Sequence, residues 1–287
     1  MLIYVESRLS DFCRCIIYIL SHSSRFLAKM GDVKTLTKYR SSTIGSKWTK
    51  TKWLLKRQDF QRHIPQTMMF NKHNLTTMLT SHSVVYFKPT NGSGGANIIR
   101  IKKRARGYQT QSNSSKAVYS TKDELFNSLK RYSARRPYLL QKGIALAKTS
   151  GRPFDIRVMV QKTNAGDWVS TAVFTKIGRP GKVATNYNQG GKIDFFRSTL
   201  SAAGYHAASI QRMEAKLKRM GVSAGHCFDR HMKGFRELGL DIALDSEGKP
   251  WILEVNTRPQ IYPLKHLKDK GLYRRIISFA KQYGRTK

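Results

Sequence analysis

The chain is short of acid. Its 287 residues hold 17 Asp and Glu against 53 Lys and Arg, a formal net charge of +36. That balance says the partner or surroundings are anionic: nucleotide, nucleic acid, acidic polymer or anionic surface. It says nothing about fold. Cysteine is scarce too. Cys13, Cys15 and Cys227 make no disulfide framework, and the odd count fits a reducing compartment. His226, Cys227 and His231 have no second cysteine pair nearby, so chance explains them better than zinc. No run reaches the ~20 apolar residues that a membrane span needs. Cys15 to Leu20 is too short for a signal core, and Glu6, Asp11 and Arg14 precede it. No secretion signal is read, and the expected location is cytoplasmic. No 20–50-residue repeat is present. What the chain does have, 40% hydrophobic residues, suffices for one large or two modest domains.

Scarcity makes two acids in one hairpin informative. Gly239 to Pro259 reads as two strands around a turn of Asp245, Ser246, Gly248 and Pro250. The apolar alternation favours a register pairing Leu244 with Trp251, Ile242 with Leu253 and Leu240 with Val255. It sets Asp241 opposite Glu254, with Asn256 one step along. Facing carboxylates repel, so something must offset them. Two readings stand open. One is a divalent cation held by hard oxygen ligands, for which Mg²⁺ with its retained waters is suited. The other is a surface hairpin with solvated acids or a bridging lysine.

Residues 1–45 show no sustained period. They read as an extension, or as an upstream stretch with Met30 as the functional start. Order begins near Ser46, with a basic helix from Lys47 to Gln58. Asn71 or Asn74 caps a second helix carrying Leu75, Met78 and Leu79. A strand from Val84 to Lys88 enters a loop holding Gly92, Ser93, Gly94 and Gly95, and Ile98 to Ile101 leaves it. No Gly-Lys-Ser/Thr follows, so it is no Walker A loop, and no helix follows, so it is no Rossmann turn. A strand–glycine loop–strand can form a flap whose bare N–H groups approach phosphates, with Lys88 as a point charge beside them, or it can be a plain hairpin. Thr121 to Glu124 is a capping box for a helix bearing Leu125, Phe126, Leu129 and Tyr132. Tyr138 to Ile144 is a strand leaving through Gly143. On the next strand Asp155 and Arg157 share one face, either as a solvated pair or with Asp155 orienting Arg157 toward phosphate. Ile210 to Met220 marks a helix whose Lys216, Lys218 and Arg219 form a solvated face. Tyr262 to Tyr283 holds a basic C-terminal helix.

The order of these parts resembles the ATP-grasp superfamily, and more narrowly the YheC/YheD sporulation-associated family. The matching stretches are Ser46-Lys47-Trp48 with Lys52, Ile64 to Thr67, Tyr86 to Pro89 with Gly92 to Gly95, and Gln141 to Ile144. Arg152 to Arg157, Thr185-Asn186 with Gly190-Gly191, and Leu253 to Asn256 complete the set. The resemblance implies an α+β ATP-grasp fold, two lobes whose antiparallel sheets grip ATP. The domain would span 46–287, with a smaller flap lobe at about 84–140 and a larger lobe at about 141–287. By it Lys52 and Lys88 meet the phosphates, and Ser93, Gly94 and Gly95 cover them. Gln141, Lys142, Gly143 and Ile144 form the hinge, binding adenine mostly through backbone. Asp241, Glu254 and Asn256 hold Mg²⁺, or Mn²⁺ in its place, and Arg157 sits at the transferring phosphate. Many superfamily members carry a carboxylate where Gln141 stands. The activity implied is a carboxylate–amine or thiol ligase acting through an acyl phosphate on an acidic small molecule or polymer. The alternative is a catalytically idle scaffold tied to spore-coat components. Specific nucleic-acid binding is not expected, since no RNA or DNA motif is present and charge is spread along the chain.

Overall fold

The structure is a computed structural model that describes residues 38–92, 94–179 and 190–285. Ser93, Thr185 and Asn186, like Cys13, Cys15 and Met30, lie outside the described residues.

Ser46 caps α1 (Lys47–Leu55), its hydroxyl accepting from the Thr49 N–H, and α2 (Gln58–Gln61) follows. After β1 (Thr67–Met69), Asn71 caps α3 (Lys72–Ser81). An antiparallel meander runs through β2 (Val84–Pro89), β3 (Ile99–Lys103), β4 (Tyr108–Ser112) and β5 (Ser115–Tyr119). Thr121 caps α4 (Lys122–Ser133). The Glu124 carboxylate reaches back to the Ser120 N–H, one residue beyond the expected box partner. β6 (Tyr138–Lys142) then inserts between β1 and β2, closing a six-stranded antiparallel sheet ordered β1-β6-β2-β3-β4-β5. Leu75, Leu79, Leu125 and Leu129 of α3 and α4 pack on Val85, Phe87, Ile101 and Leu140 of this sheet.

The second sheet is built from β7 (Lys148–Thr149), β8 (Arg152–Lys162), β9 (Trp168–Ile177) and β10 (Lys192–Phe195). After α5 (Phe196–Ala202) and α6 (Ala207–His231), the chain adds β11 (Glu237–Leu244) and β12 (Pro250–Asn256). Its order is β10-β9-β8-β11-β12, with β7 beside β8. A 3₁₀ turn at Tyr262–His266 leads to α7 (Gly271–Lys281). Lys38–Gly45 is tied down by bonds from Arg40 N–H to the Tyr283 carbonyl, Ser42 N–H to the Gly234 carbonyl and Ile44 N–H to the Thr257 hydroxyl.

Period-2 alternation along β8 sorts the two faces of this sheet. Ile156, Val158 and Val160 join the core under α6, while Met159 joins the one under α7. α6 approaches closely because it carries glycine at the contact. A Cβ on Gly221 would come within 2.7 Å of Val160, and one on Gly225 within 2.4 Å of the Trp168 ring. Gly225→Ala is therefore expected to cost about 1–3 kcal/mol through overpacking, despite alanine's better helix propensity. Thermal unfolding beside Ser223→Ala checks it, and an unchanged or raised Tm would refute the close-approach argument.

The hairpin register differs from expectation beyond the carboxylates. Leu240 pairs with Val255 and Asp241 with Glu254, but a bulge then shifts the ladder, so Ile242 meets Ile252, Ala243 meets Trp251 and Leu244 meets Pro250. One extra residue on β12 flips every later side chain. Ile252 enters the core, while Trp251 is half-exposed, its indole donating to Asp245 at 2.7 Å, with the ammonium groups of Lys142 and Lys249 at 5.2 and 4.1 Å from the ring centroid. The sequence pattern put Trp251 and Leu253 inside because it counted no bulge.

Candidate active site

Between the glycine loop of the first sheet and the open face of the second lies a cleft of about 200 Å³. Gly92, Gly94 and Gly95 line one wall, and Arg157, Lys176, Asp241, Glu254 and Asn256 the other. All three glycines have positive φ, a conformation that a side chain disfavours.

Register puts the charged residues in a row. Asp241 on β11 lies between Glu254 on β12 and Arg157 on β8. Arg157 grips Asp241 with two bonds, Nε to Oδ1 at 2.7 Å and Nη2 to Oδ2 at 3.2 Å. Lys176, a strand further on, reaches Asp241 at 2.8 Å and Asp155 at 3.1 Å. Asn256 Nδ2 donates to Asp241 Oδ2 at 3.0 Å. Burial opposes ionisation of Asp241, but Arg157 and Lys176 outweigh it and hold its pKa well below the usual carboxylate range. Glu254 meets Lys47 at 2.7 Å, with Lys50 at 4.0 Å. Basic side chains thus offset the two facing acids in this structure. Asp241, directly across the ladder, accepts both bonds from Arg157, while Asp155 on the same strand as Arg157 pairs with Lys176 and favours the guanidinium's charge.

The basic side chains come from three places. Lys47 and Lys50 lie on the buried face of α1, and Lys47 also donates to the Gly92 carbonyl at 2.6 Å, tying helix to flap. Lys88, at the end of β2, is 7% exposed and donates to Gln141 Oε1 at 2.6 Å. Gln141 Nε2 in turn donates to the Thr67 hydroxyl at 3.0 Å, which fixes the amide's orientation. Burial pushes Lys50 and Lys88 down to about 8. Lys52 is not brought to the cleft: it is exposed, 5.9 Å above the Trp48 ring. Helical period decides this, since Lys47 and Lys50 share the inward face with Leu54 and Lys52 points away. That same period could have named Lys47 and Lys50 from the sequence. Lys176 carried no sequence signal beyond its place at the end of a strand.

A separate slot of about 10 Å³ is lined by Lys88, Leu139, Ile252 and Leu253, and shares Lys47 and Glu254 with the cleft. Lys142 N–H bonds to the Gln66 carbonyl and Gly143 N–H to the Val84 carbonyl, so both of these amides are committed to the sheet. Gly143 is required there, since a Cβ would come within 2.6 Å of Val84. Ile144 follows in the irregular stretch leading to β7.

Among the described residues no group of three or more His, Cys, Asp or Glu gathers as a metal site. Two facing carboxylates and one amide are nonetheless hard-oxygen donors of the kind that suits a cation completing its shell with water and phosphate. His231, Cys227 and Trp53 serve packing instead: the imidazole stacks on the indole at 5.1 Å, and the buried thiol donates to the Trp53 carbonyl.

Two antiparallel sheets, flanked by helices and closing on a glycine-lined cleft, define an α+β ATP-grasp fold. The chain belongs to the YheC/D like ATP-grasp family, whose profile matches residues 37–286. It is 26% identical over 273 residues to the endospore coat-associated protein YheD of Bacillus subtilis (strain 168), covering 91% of this chain and 58% of that protein. It is 22% identical over 228 residues to YheC of the same strain, covering 78% of this chain and 62% of that protein. The chain therefore spans little more than half the length of these relatives. Among solved structures, N5-carboxyaminoimidazole synthase from Aspergillus clavatus, in complex with ADP and 5-aminoimidazole ribonucleotide, matches with a TM-score of 0.50. That match is 12% identical and covers 84% of this chain and 54% of the other, a likeness of fold alone. No helix among the described residues is long and apolar enough to cross a membrane.

Proposed function

We propose that this chain is an ATP- and Mg²⁺-dependent ligase that activates the carboxylate of an acidic substrate as an acyl phosphate for an amine or thiol. The observation that carries this reading is the meeting of Lys47, Arg157 and Lys176 with Asp241 and Glu254 around one glycine-lined cleft, with Lys50 and Lys88 lining a slot that shares Lys47 and Glu254 with it. Phosphoryl transfer needs positioning and neutralisation of spread charge, and this set supplies both. The sheet carrying the glycine loop serves as the smaller jaw and the β8–β12 sheet as the larger. Lys47 and Lys50 hold the phosphates from the helix side and Lys88 from the first sheet, and Arg157 faces the transferring group. Asp241, Glu254 and Asn256 would hold the metal, which would supply charge neutralisation for the phosphates. The +36 net charge suits an acidic small molecule or polymer as co-substrate.

The test is calorimetric titration of ATP with Mg²⁺ and with EDTA, on wild type and Glu254→Ala, at moderate salt. Expected is Mg²⁺-dependent micromolar binding that the substitution removes. Absent binding, or binding equal in all four conditions and erased by salt, refutes the site. A second reading has its own support: Asp241 is saturated by Arg157, Lys176 and Asn256, and the two relatives are named as coat-associated proteins. In it the chain is an idle scaffold among spore-coat components. ADP release stimulated by some member of a panel of amino acids and dicarboxylates decides for the ligase, and nucleotide binding without any turnover for the scaffold.

A further inference from the structure

A second charged feature lies on the side of the β8–β12 sheet away from the cleft. α6 covers that face through Leu217, Ala224 and Phe228, leaving its outer side to solvent. Arg212, Lys216, Arg219, His226 and Arg230 recur there at helical period and are all exposed. From Arg212 to Arg230 the row runs about 27 Å at about 1.5 Å per residue. Arg219, His226 and Arg230 also form one wall of an open groove of about 730 Å³, whose opposite wall is Trp168 to Ser170.

The neighbouring charges sharpen the row rather than cancel it. Glu214 is taken by Arg197 and Lys218, and Asp229 by Lys162 and the Trp168 indole. Asp59 is taken by Arg57. Lys218 and Arg57 are thereby neutralised and are left out of the row. Among the described residues, no ion pair ties down Arg212, Lys216, Arg219 or Arg230.

We infer that the outer face of α6 docks the phosphate backbone of duplex nucleic acid, independently of sequence. Three of the four full charges are arginine, whose planar fork matches a phosphate's paired oxygens. A straight row about 27 Å long suits a stiff polyanion that carries one phosphate per about 3.4 Å of axis on each strand, of which the winding backbones bring only some to the side facing the helix. Single strands use exposed aromatic faces for stacking, and here Trp168 is only 4% exposed. A flexible polyacid would lose chain entropy on lying along a rigid helix, whereas a duplex is already stiff.

The test is fluorescence anisotropy with a labelled random-sequence DNA duplex of about two helical turns. It compares wild type with the four-fold variant Arg212→Gln, Lys216→Gln, Arg219→Gln and Arg230→Gln, and with the single variant Arg219→Glu. A control carries Lys102→Gln, Lys103→Gln, Arg104→Gln and Arg106→Gln, an equal charge loss in an exposed stretch of the first sheet. Circular dichroism confirms that each protein is folded. Expected is at least a tenfold loss for the α6 variant, with its log–log salt slope reduced by about 3 to 4, since each phosphate contact contributes about 0.9. Arg219→Glu alone should lose several-fold, and saturating Mg²⁺-ATP should leave duplex binding unchanged. Equal loss in the control would reduce the effect to net charge and overturn the assignment. So would a poly-glutamate chain that binds wild type as tightly as the duplex does.

Discussion

Asp241→Ala is expected to lower stability by about 3–5 kcal/mol, the largest loss of any single change in the cleft. Removing one partner of a buried ion pair costs that much because the other charge stays desolvated. Here two buried cations lose a partner at once, Arg157 at 10% and Lys176 at 6% side-chain exposure. Lys176 keeps Asp155, but Arg157 loses its two bonds to the Asp241 carboxylate. Urea unfolding measures the effect, and a loss under about 1 kcal/mol would mean the cluster behaves as a solvated pair. Adding Arg157→Met to Asp241→Ala should recover part of the loss, since the stranded guanidinium is gone. The pH dependence has a fixed sign. Asp241 is depressed in the fold, so its contribution is fully present above the unfolded value near ~3.9 and is lost as pH falls toward the folded value. Wild type should therefore destabilise more steeply below about pH 4 than Asp241→Ala does.

How much of this was legible beforehand varies with the kind of signal. Local chemistry spoke clearly: Asn71 and Thr121 cap the helices they were expected to cap, and Asp241 faces Glu254 as the apolar pattern required. Long-range pairing did not. β1 has three residues and β4 carries Gln109, Thr110 and Gln111, so neither shows an apolar alternation, and both exist because β6 and β3 supply their hydrogen bonds. The bulge after Asp241 has no composition of its own, since neither strand carries glycine or proline at the shift. The cleft was readable where a residue type was needed, as with the glycine loop and the two acids. It was not readable where only facing mattered. Lys52 and Lys50 are chemically alike, and α1 turns one of them inward. Arg157 could be placed on its strand from alternation, yet its partner depends on which strand lies beside β8, and that is β11, more than seventy residues away in sequence. The match of the cleft acids to basic side chains was not visible either, since Lys47 comes from α1, Arg157 from β8 and Lys176 from β9.

Nucleotide affinity is expected to fall about tenfold between about pH 7 and pH 9, while the stability of the nucleotide-free protein rises over the adjoining range. Both effects follow from Lys88. Burial pushes it to about 8; Glu254 and Asp241 favour its charge, while Lys47 and Lys50 oppose it. An unfolded lysine titrates near ~10.4. Between about 8 and 10.4 the unfolded chain holds the proton that the folded one has released, so stability climbs with pH, by up to about 3 kcal/mol. Below about 8 both states are protonated and the full penalty of a buried ammonium is present. Phosphate binding works in the opposite direction, because it needs the ammonium that high pH removes. Binding should therefore take up a proton near pH 8, visible as a buffer-dependent calorimetric enthalpy. Lys88→Met separates the two effects. It should raise stability at neutral pH by removing a buried charge, weaken ATP binding at least tenfold, and flatten its pH profile. The slope that remains belongs to Lys50, which burial places at about the same value. If the substitution instead lowers stability at neutral pH and leaves the slope intact, the Gln141 amide is holding Lys88 as a structural bond, and the phosphates are met by α1 alone.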